Sequence, residues 1–127
     1  MQEKHLFEYA ILRIVPKVER EEFYNVGVIL YCKNQSFLKV IFHIDEKKLN
    51  VFSKDLEIAE LQKRLTAFDE ICCGDPKGGA IGKMPPVERF RWLISARSTI
   101  IQTSAVHPGL CNNAEETLNR LYRQLVL

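Results

Sequence analysis

From Arg89 to Ala114 the chain carries three arginines, Arg89, Arg91 and Arg97, and no acidic residue. His107 lies in the same stretch with Ser98, Thr99, Gln102 and Ser104. A guanidinium holds five N–H donors in a rigid fork that matches the paired oxygens of a carboxylate or phosphate. The chemistry such a set suits is anion recognition: an anionic ligand, a phosphodiester backbone or an acidic partner. A plainer account stands beside it. Glu19, Glu21 and Glu22 cluster between the first two expected strands, and they could pair with these arginines and tie two parts of one domain together.

Two further polar residues sit in apolar surroundings. Arg13 falls in the last third of an apolar segment. An unpaired buried guanidinium costs several kcal/mol, so it must reach water, a carboxylate or a ligand. Asn25 opens the next apolar segment and either bonds to a nearby turn or faces a pocket.

Catalytic signatures are weak. Gly78 to Gly82-Lys83 is one residue short of a phosphate-binding P-loop, and Met84 stands where a hydroxyl should hold the metal. No G-x-S-x-G nucleophile elbow is present. His5, His43 and His107 are too dispersed to suggest a metal centre. Glu19, Glu22 and Asp45 could in principle hold a nuclease metal, but no spacing among them is specific. The four cysteines, Cys32, Cys72, Cys73 and Cys111, form no C-x-x-C, and reduced, mostly buried thiols are expected.

Composition sets the frame around these residues. The 127 residues are 46% apolar and 27% charged, an ordinary globular balance that excludes disorder. Eighteen basic against sixteen acidic side chains leave +2, which excludes a strongly cationic nucleic-acid coat. The opening segment has no long apolar run, and no stretch approaches a membrane span, so a cytoplasmic protein is expected.

The elements that must position the polar residues follow from period. Phe7 to Val15 is apolar on both alternating faces, a strand covered on both sides and stopped by Pro16. Tyr24 to Lys33 is a second strand, with Gly27 marking a bulge or a close approach. Phe37 to Ile44 completes a hairpin with it. Asp45 to Phe52 reads as irregular, with room for a helical turn. Asp55 to Cys73 is a helix, with Ile58, Leu61, Leu65, Phe68 and Cys72 as its stripe, Ser53 or Asp55 as its cap and Gly74 as its stop. Gly74 to Pro86 is a loop, and Pro86 then starts a helix running to Ile94, with a strand as the alternative because Arg89, Phe90, Arg91 and Trp92 also alternate. Ser98 to Thr103 is a short strand and Ser104 to Cys111 a loop. Asn113 with Glu116 caps a last helix that buries Leu118, Leu121, Tyr122 and Leu125. The sum is one α+β domain over residues 1–127: a mostly antiparallel sheet of about four strands packed against two or three helices.

Several segments together resemble one family. Tyr9 to Pro16 (YAILRIVP) and Glu19 to Tyr31 (EREEFYNVGVILY) resemble the opening of the bacterial domain-of-unknown-function family 3037. Glu88 to Leu93, Arg97 to Gln102 and Val106 to Leu110 resemble its later motifs in the same order. The resemblance implies no activity. It maps the family's motif positions onto Arg13, Arg20, Asn25, Gly27, Arg89, Arg91, Arg97, Ser98, Gln102 and His107, which are mostly polar. Members are often encoded beside a kinase-like protein of the high-persistence toxin type, which implies an accessory role beside such a kinase.

The expected function is therefore a cytoplasmic accessory or interaction module without cofactor or metal. It would offer an arginine-rich surface, Arg13, Arg20, Asn25, Arg89, Arg91, Arg97, Ser98, Gln102 and His107, to an acidic protein partner or a phosphorylated ligand. Nucleic acid and membrane are disfavoured as partners, and a homo-oligomer is left open. The alternative is an enzyme acting on phosphodiesters or nucleotides through Glu19, Glu22 or His107.

Overall fold

Strand β1, His5–Ile14, pairs antiparallel with β2 along one side and with both β4 and β5 along the other. The computed structural model describes residues 4–15, 23–52, 57–95 and 100–127. In chain order the elements are β1, β2 (Tyr24–Cys32), β3 (Phe37–Phe42), α1 (Glu46–Phe52), α2 (Ile58–Cys72), a 3-10 turn at Pro76–Gly78, α3 (Gly79–Gly82), α4 (Pro86–Leu93), β4 (Ile101–Thr103), β5 (His107–Cys111) and α5 (Ala114–Leu125). The sheet runs β3-β2-β1-β4, with β5 beside β4 on the same edge of β1.

Apolar alternation decides which side chains go to which face. Ala10, Leu12 and Ile14 of β1 are fully buried against Leu61, Leu65 and Cys72 of α2 and Phe90 and Leu93 of α4, with Leu49 of α1 beneath the same face. Phe7 of β1 and Val28, Leu30 and Cys32 of β2 point the other way, onto Ala114, Leu118 and Leu121 of α5. Both faces of β1 and β2 are thus covered, as apolar residues at consecutive positions require. Each leucine so buried contributes roughly 1.5–3 kcal/mol.

Gly27 proves to be a close approach beside a bulge. A Cβ there would lie 2.6 Å from the Ile41 carbonyl oxygen and 2.8 Å from Phe42 Cβ. One residue further back the β1–β2 register slips: Leu12 faces Gly27, but Arg13 faces Asn25, and Val26 is the extra residue.

The helices carry their own signals. Pro86 stands in the first turn of α4, where its missing N–H has no intrahelical partner to lose. The Asn113 side chain accepts from Glu116 N–H at 2.9 Å and caps α5. Gln35, in the β2–β3 turn, accepts from Ala114 N–H at 2.7 Å and donates to the Asn112 carbonyl at 2.8 Å, so the start of α5 is clamped to the hairpin. Helix α2 ends where Gly74 takes a φ of 74°, as expected.

Three expectations need correction. Among the described residues the sheet has five strands, in keeping with the about four expected, but residues 107–111 form β5 rather than a loop. Proline and glycine in His107-Pro108-Gly109 read locally as a turn. Ten-residue β1 leaves half an edge open, and pairing there overrides the local preference. Pro108 is tolerable on an edge strand, and Gly109 makes room for the Phe7 ring, whose Cζ would lie 2.5 Å from a Cβ. Residues Glu46–Phe52 form a helix longer than one turn. The segment 74–86 is not wholly a loop, since it holds a 3-10 turn and the short α3. The expected caps Ser53 and Asp55 lie outside the described residues; the residue at the cap position is Glu57, with no side-chain cap bond.

Candidate functional site

Strands β4 and β5 are one edge strand broken by a bulge. Tyr9 faces His107 and Leu12 faces Thr103, so three steps along β1 match four along its neighbour. The break falls at Ser104. Its backbone N–H donates to the Ile11 carbonyl at 2.8 Å, and its hydroxyl accepts from Ile11 N–H at 2.9 Å and donates to the Ala105 carbonyl at 2.9 Å. The hydroxyl stands in for a ladder carbonyl, and a buried N–H keeps its partner.

Both neighbours of β1 therefore bulge at about the same level, one at Val26 and one at Ser104. Bulges bend strands and re-aim side chains, and they concentrate near functional sites. Just past them lies a single cross-strand row: Asn25 on β2, Arg13 on β1 and Gln102 on β4. Directly opposed residues share a face, here the face that carries α5. All three are half-buried.

Arg13 is held on an aromatic ring. Its guanidinium carbon lies 4.2 Å from the ring centroid of Phe23, a contact worth about 0.5–1 kcal/mol at an exposed site. Among the described residues no ion pair involves it, and its buried Nε finds no hydrogen-bond partner there. Asn25 donates from Nδ2 to the Leu125 carbonyl in the last turn of α5 at 3.1 Å, while its buried Oδ1 has no partner. The expected turn bond of Asn25 is thus a bond to a helix end. Buried polar atoms are nearly always satisfied, so an orphaned donor and acceptor in adjoining places mark this row out. Val15 N–H donates to the Ile100 carbonyl and closes the sheet at this end.

The structure divides the arginines expected to act together. Arg89 and Arg91 project from α4, on the opposite face of the sheet from the Arg13 row. Arg89 donates from Nη1 to the Met84 carbonyl at 2.7 Å and lies beside Gly74, so it fastens the glycine-rich segment to α4. Arg91 is exposed and borders a groove of about 450 Å³ with Glu8, Lys33 and Tyr31. His107 shares the face of Arg13 but stacks near Tyr9, ring centroids 5.3 Å apart. It stands opposite Tyr9, four residues from Arg13, which is about 13 Å along a strand. Arg20, Arg97 and Ser98, like Glu19, Glu21 and Glu22, lie outside the described residues.

Two participants were not foreseen, and Ser104 was noted only as one polar residue of its stretch. Phe23 was within reach of the sequence, an aromatic just ahead of a strand. The Leu125 carbonyl was not, because tertiary packing alone brings it to Asn25.

The cysteines offer no reactive thiol in the core. All four are free, and only Cys73 is exposed. Burial pushes the Cys72 thiol up to about 12, helped by the nearby Asp69 carboxylate. Burial also raises Cys111, with Cys32 adding to the effect. A thiol so raised stays protonated and inert near neutrality. Among the described residues no group of three or more His, Cys, Asp or Glu side chains could hold a metal ion, and no helix is long and apolar enough to cross a membrane.

An α+β sheet domain whose polar side chains meet in one cross-strand row is the class defined by this geometry. The chain belongs to the DUF3037 family, described as proteins of unknown function, whose model matches residues 9–126. No curated protein and no solved structure matches it.

Proposed function

We propose that this chain is a non-enzymatic accessory module that takes an anionic group of its partner onto the Arg13–Asn25–Gln102 row. One observation carries the reading: a half-buried guanidinium, laid over Phe23, has no described carboxylate to neutralise it and an unpartnered Nε. A carboxylate or phosphate oxygen supplies what that N–H lacks, and the fixed fork adds directional recognition. The Asn25 amide oxygen, also unpartnered, would take a hydroxyl or N–H next to the anion. Arg20, Arg97 and Ser98 remain candidates to extend this site. The family resemblance suggests a kinase-like protein as the partner, and its acidic or phosphorylated surface as the anion.

The test is calorimetric titration of the chain with the purified kinase-like protein of the same host, in phosphorylated and unphosphorylated forms. Wild type should bind. Arg13→Glu should weaken binding by about a hundredfold, since truncating one partner of a desolvated charge contact costs roughly 2–5 kcal/mol. Circular dichroism should show the variant folded. Undiminished binding by a folded Arg13→Glu protein would remove the row from the site, and no binding by wild type would remove the partner.

A further inference from the structure

A second surface lies along the outer edge of β5, away from the Arg13 row. β5 pairs with β1 on one side only, and among the described residues nothing pairs with the other. Such an edge presents unpaired backbone groups to any extended chain. Leu6 and Leu110 face each other across β1 and β5, and they are 58% and 63% exposed. They are two of the four large apolar residues that the described part of the chain leaves in water.

Charge surrounds this apolar pair asymmetrically. The groove of about 450 Å³ beside Leu6 is bordered by Lys33 and Arg91, with Glu8 the acid among its lining residues. The hollow of about 550 Å³ beside Leu110 is bordered by Lys4, Arg120 and Arg123, with Glu116 its acid. None of these five cations enters an ion pair among the described residues. Pro108 withholds its N–H, so an added strand would find fewer backbone bonds here than on a plain edge. Side chains must then supply the selectivity.

We infer that the β5 edge takes up an extended acidic segment of a partner protein, which seats an apolar side chain on Leu110, beside Leu6, and sets its carboxylates against Lys4, Arg120 and Arg123. Strand addition sends alternate side chains of the guest to opposite faces, so the apolar one lies on Leu110 while its neighbours turn toward the cationic rim beside α5. A second copy of this chain is a poor occupant, because the same rims would meet each other. Nucleic acid is a poor one as well, since it would press phosphates onto two leucines.

The probe is a short fluorescent peptide of alternating glutamate and threonine with one central leucine, titrated against the full chain by anisotropy. The expected result is saturable binding, with amide shifts in the NMR spectrum confined to β5 and the first half of β1. Leu110→Lys and Arg120→Glu should each weaken binding by about tenfold or more, while Lys63→Glu, on the exposed face of α2, should change nothing. Leu110 is exposed, so its variant should fold, and thermal melts check this. The inference fails if the peptide does not bind. It fails equally if a lysine-for-glutamate peptide or a single-stranded oligonucleotide binds as well, or if Leu110→Lys acts only by abolishing self-association of the chain.

Discussion

β2 and β5 are both strands of one sheet, and they differ in almost every respect. Every residue of β2 from Val26 to Cys32 is buried, with helices over both faces. In β5 only Cys111 is buried, while His107, Pro108 and Leu110 are exposed. The β1–β2 half is closed, and the β4–β5 half is open. Both surfaces with unmet chemical demands, the Arg13 row and the Leu6–Leu110 pair, involve the open half. Burial and exposure thus fall to different strands of one sheet.

The largest test of this contrast is a matched pair of leucines. Leu30→Ala should destabilise by about 2–5 kcal/mol, because it opens a cavity under α5. Leu110→Ala should stay within about 0.5 kcal/mol of wild type, because water already covers that side chain. Urea unfolding measures both, and equal costs would break the comparison. Next comes the seam between the halves. Ser104→Ala leaves the buried Ile11 N–H without its acceptor and should cost about 1–3 kcal/mol, with Ser104→Thr recovering part of it. A cost indistinguishable from zero would mean that water replaces the hydroxyl.

The smallest effect is a slope. The Cys72 thiol ionises ordinarily at 9.0 but is held up to about 12 in the closed half. The folded protein therefore binds this proton more tightly than the unfolded chain. The stability it contributes is complete below pH 9 and is lost as pH rises from 9 toward 12. Thermal melts across that window should fall less steeply for Cys72→Ala than for wild type, whatever the variant's offset at neutral pH.

Most of the closed half was legible in the sequence. Period two in β1, β2 and β3, the α2 stripe, proline at the start of α4 and the Asn113 cap all appear as expected, since each is a local signal. Arg13, Asn25 and Gln102 were singled out one by one, and the sheet sets them side by side. What stayed hidden was non-local. β5 exists because β1 is long, not because His107-Pro108-Gly109 favours extension. The separation of Arg91 from Arg13 depends on which face of the sheet α4 covers, and proximity along the chain is silent about that.

One extra residue at Ser104 has an odd-and-even consequence. Gln102 and His107 are five apart, which in an unbroken strand would send them to opposite sides, yet the interruption turns both toward α5. Removing a single residue between Ser104 and His107 would leave Gln102 and His107 four apart, so an unbroken strand would keep both on the side of α5. Straightening the bulge at unchanged chain length would instead slip one segment by a residue: were it β5, Leu110 would swing beneath α5, Cys111 would leave that core, and the apolar step on the rim would vanish without any change in its amino acids.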